Sequence, residues 1–285
     1  MVNIIFIILN YKSYSDTIIL ADELLRFNLN DYRVLIVDNK SPNESFSELY
    51  SYYWGNNKVD VIQSNENGGF AKGNNYGLKY ASRYNPQYVC LINNDVHFTQ
   101  ETIIELEKKY NELSRPAIIA PKQVLPNGEL FKYKTFKLPS FLDDLRYYTH
   151  WPTKPIGYGE NCNIPNIQKV EEVPGAFMFA KYNILETIGF FDESTFLFGE
   201  ERFLGKAVKD NGLSNYIVLN ITYLHQHSKT INSEVSKKFQ RKCLFNSMVA
   251  YTKKYRKYSR VKIFLLAVLF YYTEFKMSVK RLLNI

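Results

Sequence analysis

Residues 4–11 read Ile4-Ile5-Phe6-Ile7-Ile8-Leu9-Asn10-Tyr11, an apolar and mostly β-branched run that stops abruptly on a polar pair. With no basic residue before it, a run this short reads as a strand buried on both faces, not as a signal peptide. Helical periodicity follows over 15–27, with Ser15 or Asp16 near its start, and 32–37 is a second apolar strand. Residues 59–63 read as a third strand, 73–84 as a helix, and 88–92 as a fourth strand closing on Asn93-Asn94-Asp95. A further helix spans 99–113, with Glu101 and Glu105 near its positive end. Strands that alternate with helices imply a parallel sheet, because a parallel neighbour is reached only through a crossover. In such an open sheet the carboxyl ends of the strands edge one ligand-binding crevice. Asn10-Tyr11, Asp38-Asn39, the 64–69 loop and Asn93–Asp95 are therefore expected to converge.

From 126 to 174 the pattern dissolves into Pro, Gly, Asn and aromatic residues, with Lys132 and Lys137 near its start and Trp151-Pro152 further on. A segment of that length without periodicity reads as a lid or an acceptor-side insertion. A strand is expected over 172–180, helices over 181–188 and 200–211, and a strand over 214–219 leading towards His225. The organisation is thus a catalytic unit over 1–230 followed by a basic helical tail over 231–285. In the tail, an apolar run over 263–272 lies between Lys253, Lys254, Arg256, Lys257, Arg260 and Lys262 on one side and Lys276, Lys280 and Arg281 on the other. It is too short to span a bilayer, so it either docks in the plane of an anionic leaflet or packs on the domain.

Composition bounds the partners. The net charge of +8 attracts polyanions, whether nucleic acid, anionic lipid or a diphosphate, and does not choose among them. Cys90, Cys162 and Cys243 form no C-x-x-C pair and leave an odd count, which points to a reducing, cytoplasmic setting without a disulfide framework or zinc site. The 23 Tyr and 20 Phe suit sugar stacking or a membrane interface, and equally a large aromatic core.

Four constellations carry the chemistry. Asp38 ends a strand before Asn39, Ser41 and Pro42, a turn composition expected to expose a carboxylate to a nucleobase or ribose. Gly68, Gly69 and Gly73 sit before a helix, where backbone amides can approach an anion, though the spacing is not that of a dinucleotide fingerprint. Asp95 projects from an apolar strand and suits a divalent cation, Mn or Mg, held against a diphosphate; a distant ligand must assist it, and His225 or His227 is the candidate. Glu200 and Glu201 are adjacent carboxylates whose repulsion raises the proton affinity of one, making it a candidate general base, although acidic residues in a first helical turn also complement the helix dipole.

In their order along the chain, Leu9-Asn10-Tyr11, Val37-Asp38-Asn39, Asn65-Glu66-Asn67-Gly68-Gly69-Phe70-Ala71, Asn74-Asn75-Tyr76-Gly77, Leu91-Ile92-Asn93-Asn94-Asp95, Gly175-Ala176, Gly189-Phe190-Phe191-Asp192-Glu193 and Phe198-Gly199-Glu200-Glu201 resemble the family 2 glycosyltransferases. The resemblance is greatest to the rhamnosyltransferase-like branch of bacterial surface polysaccharide synthesis. It implies an α/β fold of GT-A type, a mostly parallel central sheet flanked by helices, with a C-terminal helical tail. It implies donor contacts from Asn10, Tyr11, Asp38, Asn67, Gly68, Gly69, Asn74, Asn94 and Asp95, and a cation on Asp95 with His225, His227 being the less favoured register. Glu201, with Glu200 beside it, stands where the family carries the base that deprotonates the acceptor in an inverting displacement. The implied partners are a dTDP- or UDP-linked sugar and a saccharide acceptor on a lipid, at the cytoplasmic face of the plasma membrane, with no nucleic acid. Three departures accompany the match: Asn93 replaces the first acid of the D-x-D motif, Glu201 is one methylene longer than Asp, and Arg202-Phe203 replaces small and acidic residues. Two other readings compete. A sugar-nucleotide nucleotidyltransferase needs a basic Gly-rich loop near the first strand, which Asn10-Tyr11-Lys12-Ser13 does not offer, and a non-catalytic nucleic-acid or membrane module lacks a recognised motif.

Overall fold

The computed structural model describes residues 2–132, 136–149, 158–159, 164–226 and 236–282; His227, Trp151, Cys162 and part of the 126–174 segment lie outside them. The N-terminal half follows the sequence pattern: β1 (Ile4–Asn10), α1 (Tyr14–Leu25), β2 (Tyr32–Asp38), α2 (Ser45–Tyr52), β3 (Val59–Gln63), α3 (Gly69–Ala81), β4 (Tyr88–Asn93) and the two-residue β5 (Val96–His97). After α4 (Gln100–Glu112) come β6 (Pro116–Val124), α5 (Phe141–Thr149), β7 (Ile167–Val170), β8 (Phe177–Lys181), α6 (Tyr182–Thr187), α7 (Glu200–Asp210) and β9 (Ser214–His225). Two helices follow, α8 (Lys237–Tyr251) and α9 (Arg260–Leu282), joined through a π-helical turn at Thr252–Arg256.

Among the described residues the strands form one sheet in the order β3-β2-β1-β4-β8-β6-β9-β5, with β7 pairing β9. The first four strands are parallel, as the alternation of strand and helix requires. Beyond β4 the sheet is mixed, β8 running antiparallel to both β4 and β6. Alternate side chains of β1 serve opposite cores. Ile4, Phe6 and Ile8 pack with Leu20 and Leu24 of α1 and Ile103 and Leu106 of α4. Ile5 and Ile7 pack with Leu78 and Ala81 of α3 and Leu185 of α6. The continuous apolar reading of 4–9 is thus a strand with helices on both faces.

Several boundaries differ from the sequence reading. The helix expected over 73–84 begins at Gly69, so Gly73 lies inside it. The reason is close packing: a Cβ on Gly73 would come 2.6 Å from Leu9 Cδ1, and one on Gly77 would come 2.9 Å from both Ile7 and Val37. These two glycines, one turn apart, seat α3 directly on the sheet. The 126–174 segment is not wholly irregular, since it contributes α5 and β7. The strand expected over 214–219 runs on to His225, because a register shift in its pairing with β6 after Pro121 lets β9 continue.

The tail packs on the domain through one face. Leu266 and Phe270 of α9 join Tyr148 of α5 and Phe245 and Met248 of α8 in a separate apolar cluster. No helix of the described residues is long and apolar enough to cross a membrane.

Gly69 has φ +83°, and a Cβ there would lie 1.9 Å from the Phe196 carbonyl oxygen, whereas Gly55, at φ +77°, has nothing within 4 Å of that position. Both substitutions by Ala incur backbone strain of about 1–3 kcal/mol, but only Gly69→Ala also breaks the seam to Phe196. Urea denaturation should show Gly69→Ala losing clearly more stability than Gly55→Ala; equal losses would remove the steric argument.

Candidate active site

The carboxyl ends of β1, β2 and β4 and the start of α3 form the crevice edge. Asp38 ends β2 in register with Asn10 at the end of β1. It is fully buried: Oδ2 accepts from Asn10 Nδ2 at 2.9 Å and Ser41 Oγ at 2.6 Å, and Oδ1 from the Ser41 amide at 2.9 Å and Gln63 Nε2 at 3.0 Å. This corrects the expectation of an exposed crevice carboxylate. Four donors compensate a charge that has left water, and Asp38 ties three strand ends together. Asn10, also fully buried, accepts in turn from Thr17 Oγ1 at 2.8 Å. Asn74 is buried and donates to the Phe70 carbonyl at 3.0 Å. Both side chains make hydrogen bonds that shape the crevice. Asn94 donates to the Ser13 carbonyl and to Thr17 Oγ1, fixing the end of β4 to the start of α1, and Tyr11 stays half-buried beside them.

The glycine loop is held from both sides. Asn67 Oδ1 accepts from the Gly69 amide at 3.2 Å and from Asn39 Nδ2 at 3.1 Å, and the Phe70 amide donates to the Phe196 carbonyl at 3.0 Å. Asn75 binds the Phe191 backbone through both ends of its amide and reaches Glu193. The 189–199 segment is thereby stitched over the loop. A cleft of about 160 Å³ flanks this seam, between Asn65, Lys72, Tyr76 and Glu193. It is smaller than the several hundred Å³ typical of small-ligand sites, so it does not hold a whole nucleotide sugar.

Asp95 and His225, distant in sequence, meet because Val96 pairs with His225 across β5 and β9. The Gln226 amide also donates to the Asp95 carbonyl at 2.9 Å. His225 Nε2 lies 3.1 Å from Asp95 Oδ1, and its Nδ1 lies 3.1 Å from Gln123 Nε2. Gln123 in turn accepts from the Tyr223 hydroxyl at 3.1 Å. The pairing of His225 with Asp95 expected from the sequence has a geometric basis here. Neighbouring ligands of an octahedral Mg-sized ion stand about 3 Å apart, which the 3.1 Å separation matches. An amide can present either end to Nδ1, so Nε2 can bind as a neutral imidazole. Among the described residues no group of three or more His, Cys, Asp or Glu gathers to hold a metal. The pair therefore fits a cation only as a partial site, completed by ligand oxygens and water.

The Asn93 amide donates to the Ala176 carbonyl at 3.0 Å, which brings Gly175 to the same end of the crevice. Gly175 leaves room for Glu201, whose Oε1 would lie 2.6 Å from a Cβ there. Adjacent residues of a helix point about 100° apart, and α7 separates its two acids accordingly. Glu201 faces Gly175 and is half-buried; Glu200 is buried behind it, and its Oε1 has no hydrogen-bond partner. That burial corrects the expectation that Glu200 shares the catalytic role. Burial pushes Glu200 up to about 8, with Glu201 adding repulsion, and raises Glu201 as well.

Sequence reasoning passed over a cluster beside Glu201. Arg202 lies 3.7 Å from Asp144 of α5 and 3.8 Å from Glu172. Burial pushes Glu172 up to about 8 and Asp144 up to about 6, the guanidinium opposing both shifts. The one signal in the sequence was Arg202 itself, unusual at its position.

A model of the family "Glycosyl transferase family 2" matches residues 5–186. The chain is 26% identical over 217 residues to the low-salt glycan biosynthesis hexosyltransferase Agl10 of Haloferax volcanii, covering 72% of this chain and 61% of that protein, so it spans under two thirds of that relative. GalNAc-T7, solved with UDP, GalNAc and Mn2+, superposes with a TM-score of 0.65 at 12% identity over 88% of this chain and 48% of its own. Residues 1–349 of S. aureus TarS superpose with a TM-score of 0.52 at 16% identity, over 90% and 73% of the two chains.

Carboxyls held near 8 in the fold and near 4.5 when free keep more protons folded than unfolded. Their contribution to stability is full below about pH 4.5 and is lost as pH rises towards 8. Glu172→Gln combined with Glu200→Gln should flatten the fall of the urea midpoint across that range. A fall as steep as in the parent protein would exclude these two groups as its source.

Proposed function

We propose, on the premise that the chain belongs to the family 2 glycosyltransferases, that it transfers a hexosyl group from a nucleotide diphosphate to a saccharide acceptor with inversion, Glu201 serving as base. The observation that carries this reading is the seat of Glu201 against Gly175, at the crevice end where β4 delivers Asp95. Burial raises its proton affinity, the direction that suits a general base. The acceptor hydroxyl oxygen forms the bond to the anomeric carbon while the bond from that carbon to the diphosphate oxygen breaks. The hydroxyl proton passes to Glu201, and the nucleoside diphosphate leaves. The Gly69 and Phe70 amides are already bonded to Asn67 and Phe196, so the start of α3 offers the departing anion the positive end of its helix dipole rather than those two donors. A divalent cation, Mn or Mg, on Asp95 and His225 supplies further positive charge to the diphosphate when bound.

Tyr11, Asn67, Gly68, Gly69, Asn94 and Asp95 are the donor-side residues of this reading. For the donor we favour dTDP-rhamnose, with UDP-sugars next; the hexosyltransferase name of the Haloferax relative and the UDP in the GalNAc-T7 structure support a nucleotide-linked hexose in general. The acceptor is taken as a lipid-linked saccharide at the cytoplasmic face of the membrane, in surface polysaccharide synthesis. The match to the glycosyltransferase family favours sugar transfer over a nucleotidyltransferase.

Glu201→Gln should lower transfer by about 10²-fold or more while the thermal shift given by the nucleoside diphosphate persists; turnover close to that of the parent sinks the assignment. Asp95→Asn and His225→Ala should each abolish the extra thermal shift that Mn adds to UDP or dTDP. An unchanged Mn-dependent shift in both variants removes the cation from this pair.

A further inference from the structure

Helix α9 buries one face and leaves the opposite one apolar. Val261, Phe264, Leu265, Val268, Tyr271 and Phe275 recur at the i, i+3, i+4, i+7 spacing of a single stripe, and Val261, Phe264, Tyr271 and Phe275 are 75%, 69%, 66% and 68% exposed. The opposite face is already spent on the cluster with α5 and α8 through Leu266 and Phe270. The stripe is about 20 Å long at 1.5 Å per residue, and a helix apolar on both sides is ordinarily buried on both.

We propose that this outer face lies in the plane of an anionic bilayer, its aromatic side chains sunk to the headgroup boundary and its lysines on phosphate. Charge selects that occupant over a second copy of the chain. Lys262 and Lys276 are exposed on one border of the stripe, and Lys253, Lys257 and Arg260 lie at the end of the helix where the stripe starts. The only acid in α9 is Glu274, which lies off the stripe and is paired with Arg241 at 2.8 Å. A second copy would bring lysine borders together with no acid to answer them. An anionic leaflet answers each, at about fivefold in affinity per basic residue near its surface. Tyr and Phe at the boundary suit an in-plane helix, and none of the described helices can span.

The consequence for catalysis rests on the transferase reading above. Helix α9 packs on α5 and α8, and α8 packs on α7, where Tyr251 meets Phe203 edge to face. Two helices, α9 and α8, therefore separate the bilayer from the helix that carries Glu201.

Co-sedimentation with vesicles containing about one third phosphatidylglycerol in phosphatidylcholine tests the proposal. The parent protein should bind them, and bind pure phosphatidylcholine at least tenfold more weakly. Val261→Ser with Phe264→Ser and Phe275→Ser should lose binding by tenfold or more, with unchanged circular dichroism and nucleotide thermal shift, since these side chains are 75%, 69% and 68% exposed and lie outside the cluster that seats α9. Lys262→Gln with Lys276→Gln should weaken binding by tenfold or more and flatten its salt dependence. No binding by the parent, or undiminished binding by the triple variant, overturns the proposal. So does self-association in solution that the triple variant abolishes, if vesicles do not compete with it. Glu201→Gln protein should bind like the parent, so failure of the transfer reading leaves the vesicle result standing, and the reverse holds equally.

Discussion

A two-residue strand governs the geometry of the crevice. Val96 and His97 pair with the last residues of β9, and that ladder alone decides that Asp95 meets His225. Pairing has period two, so a slip of one residue would turn His225 to the other face of the sheet and leave Asp95 opposite a neighbour of different chemistry. The register is secured from both flanks. Gln226 donates its amide to the Asp95 carbonyl, and His97 is fixed by Glu23 at 2.9 Å and by Gln226 at 3.0 Å. Gln123 and Tyr223 then hold the ring of His225 from the opposite side. The second strand end that matters, β4, is held through Asn93 to Ala176, so the same short stretch positions both Asp95 and the floor beneath Glu201.

The polar residues at the strand ends divide into those that build the crevice and those left to line it. Asp38, Asn10, Ser41 and Gln63 satisfy one another, joined by Thr17 and Asn94 from the α1 side. A buried carboxylate with four donors is costly to disturb, because removal of any partner strands a charge in low dielectric. That rigidity fixes the strand ends that edge the crevice. The glycines add the other half of the precision. Gly73 and Gly77 let α3 settle on the sheet, while Gly69 lets the Phe196 carbonyl close over the loop.

How much of this was legible follows from which forces leave a local trace. The strand-helix alternation of β1 to β4 was plain because burial on both faces writes an unbroken apolar run, and a ligand crevice followed from the ends of those runs, while its GT-A type came only from the resemblance of the ordered motifs. The continuation of β9 to His225 was not, because Asn220 and Thr222 break the apolar pattern and only pairing with β6 and β5 explains them. Helix α5 hid within a segment dominated by Pro, Gly and aromatic residues. Its Leu145 and Tyr148 make sense only against Phe245 and Phe270, far along the chain. Exposure was the least legible property of all. Turn chemistry located Asp38 at a strand end correctly, yet nothing local says that Ser41 and Gln63 fold back to enclose it.

Arg202 gains its meaning from the same long-range logic. Taken alone it is a departure from the family pattern beside the acid that matters most. In the fold it stands between Asp144 and Glu172, both contributed by the 126–174 segment or its edge, and Glu201 directly precedes it in the helix. Burying Asp144, Glu172 and Glu201 together without a cation would push all three towards the neutral form. The guanidinium opposes that drift, lowering Asp144, Glu172 and Glu201 against the effect of burial. A small or acidic residue in its place would leave Asp144 and Glu172 uncompensated beside Glu201. Arg202 thus answers the carboxylates that the 126–174 segment brings beside Glu201, and it lowers Glu201 against the rise that burial gives.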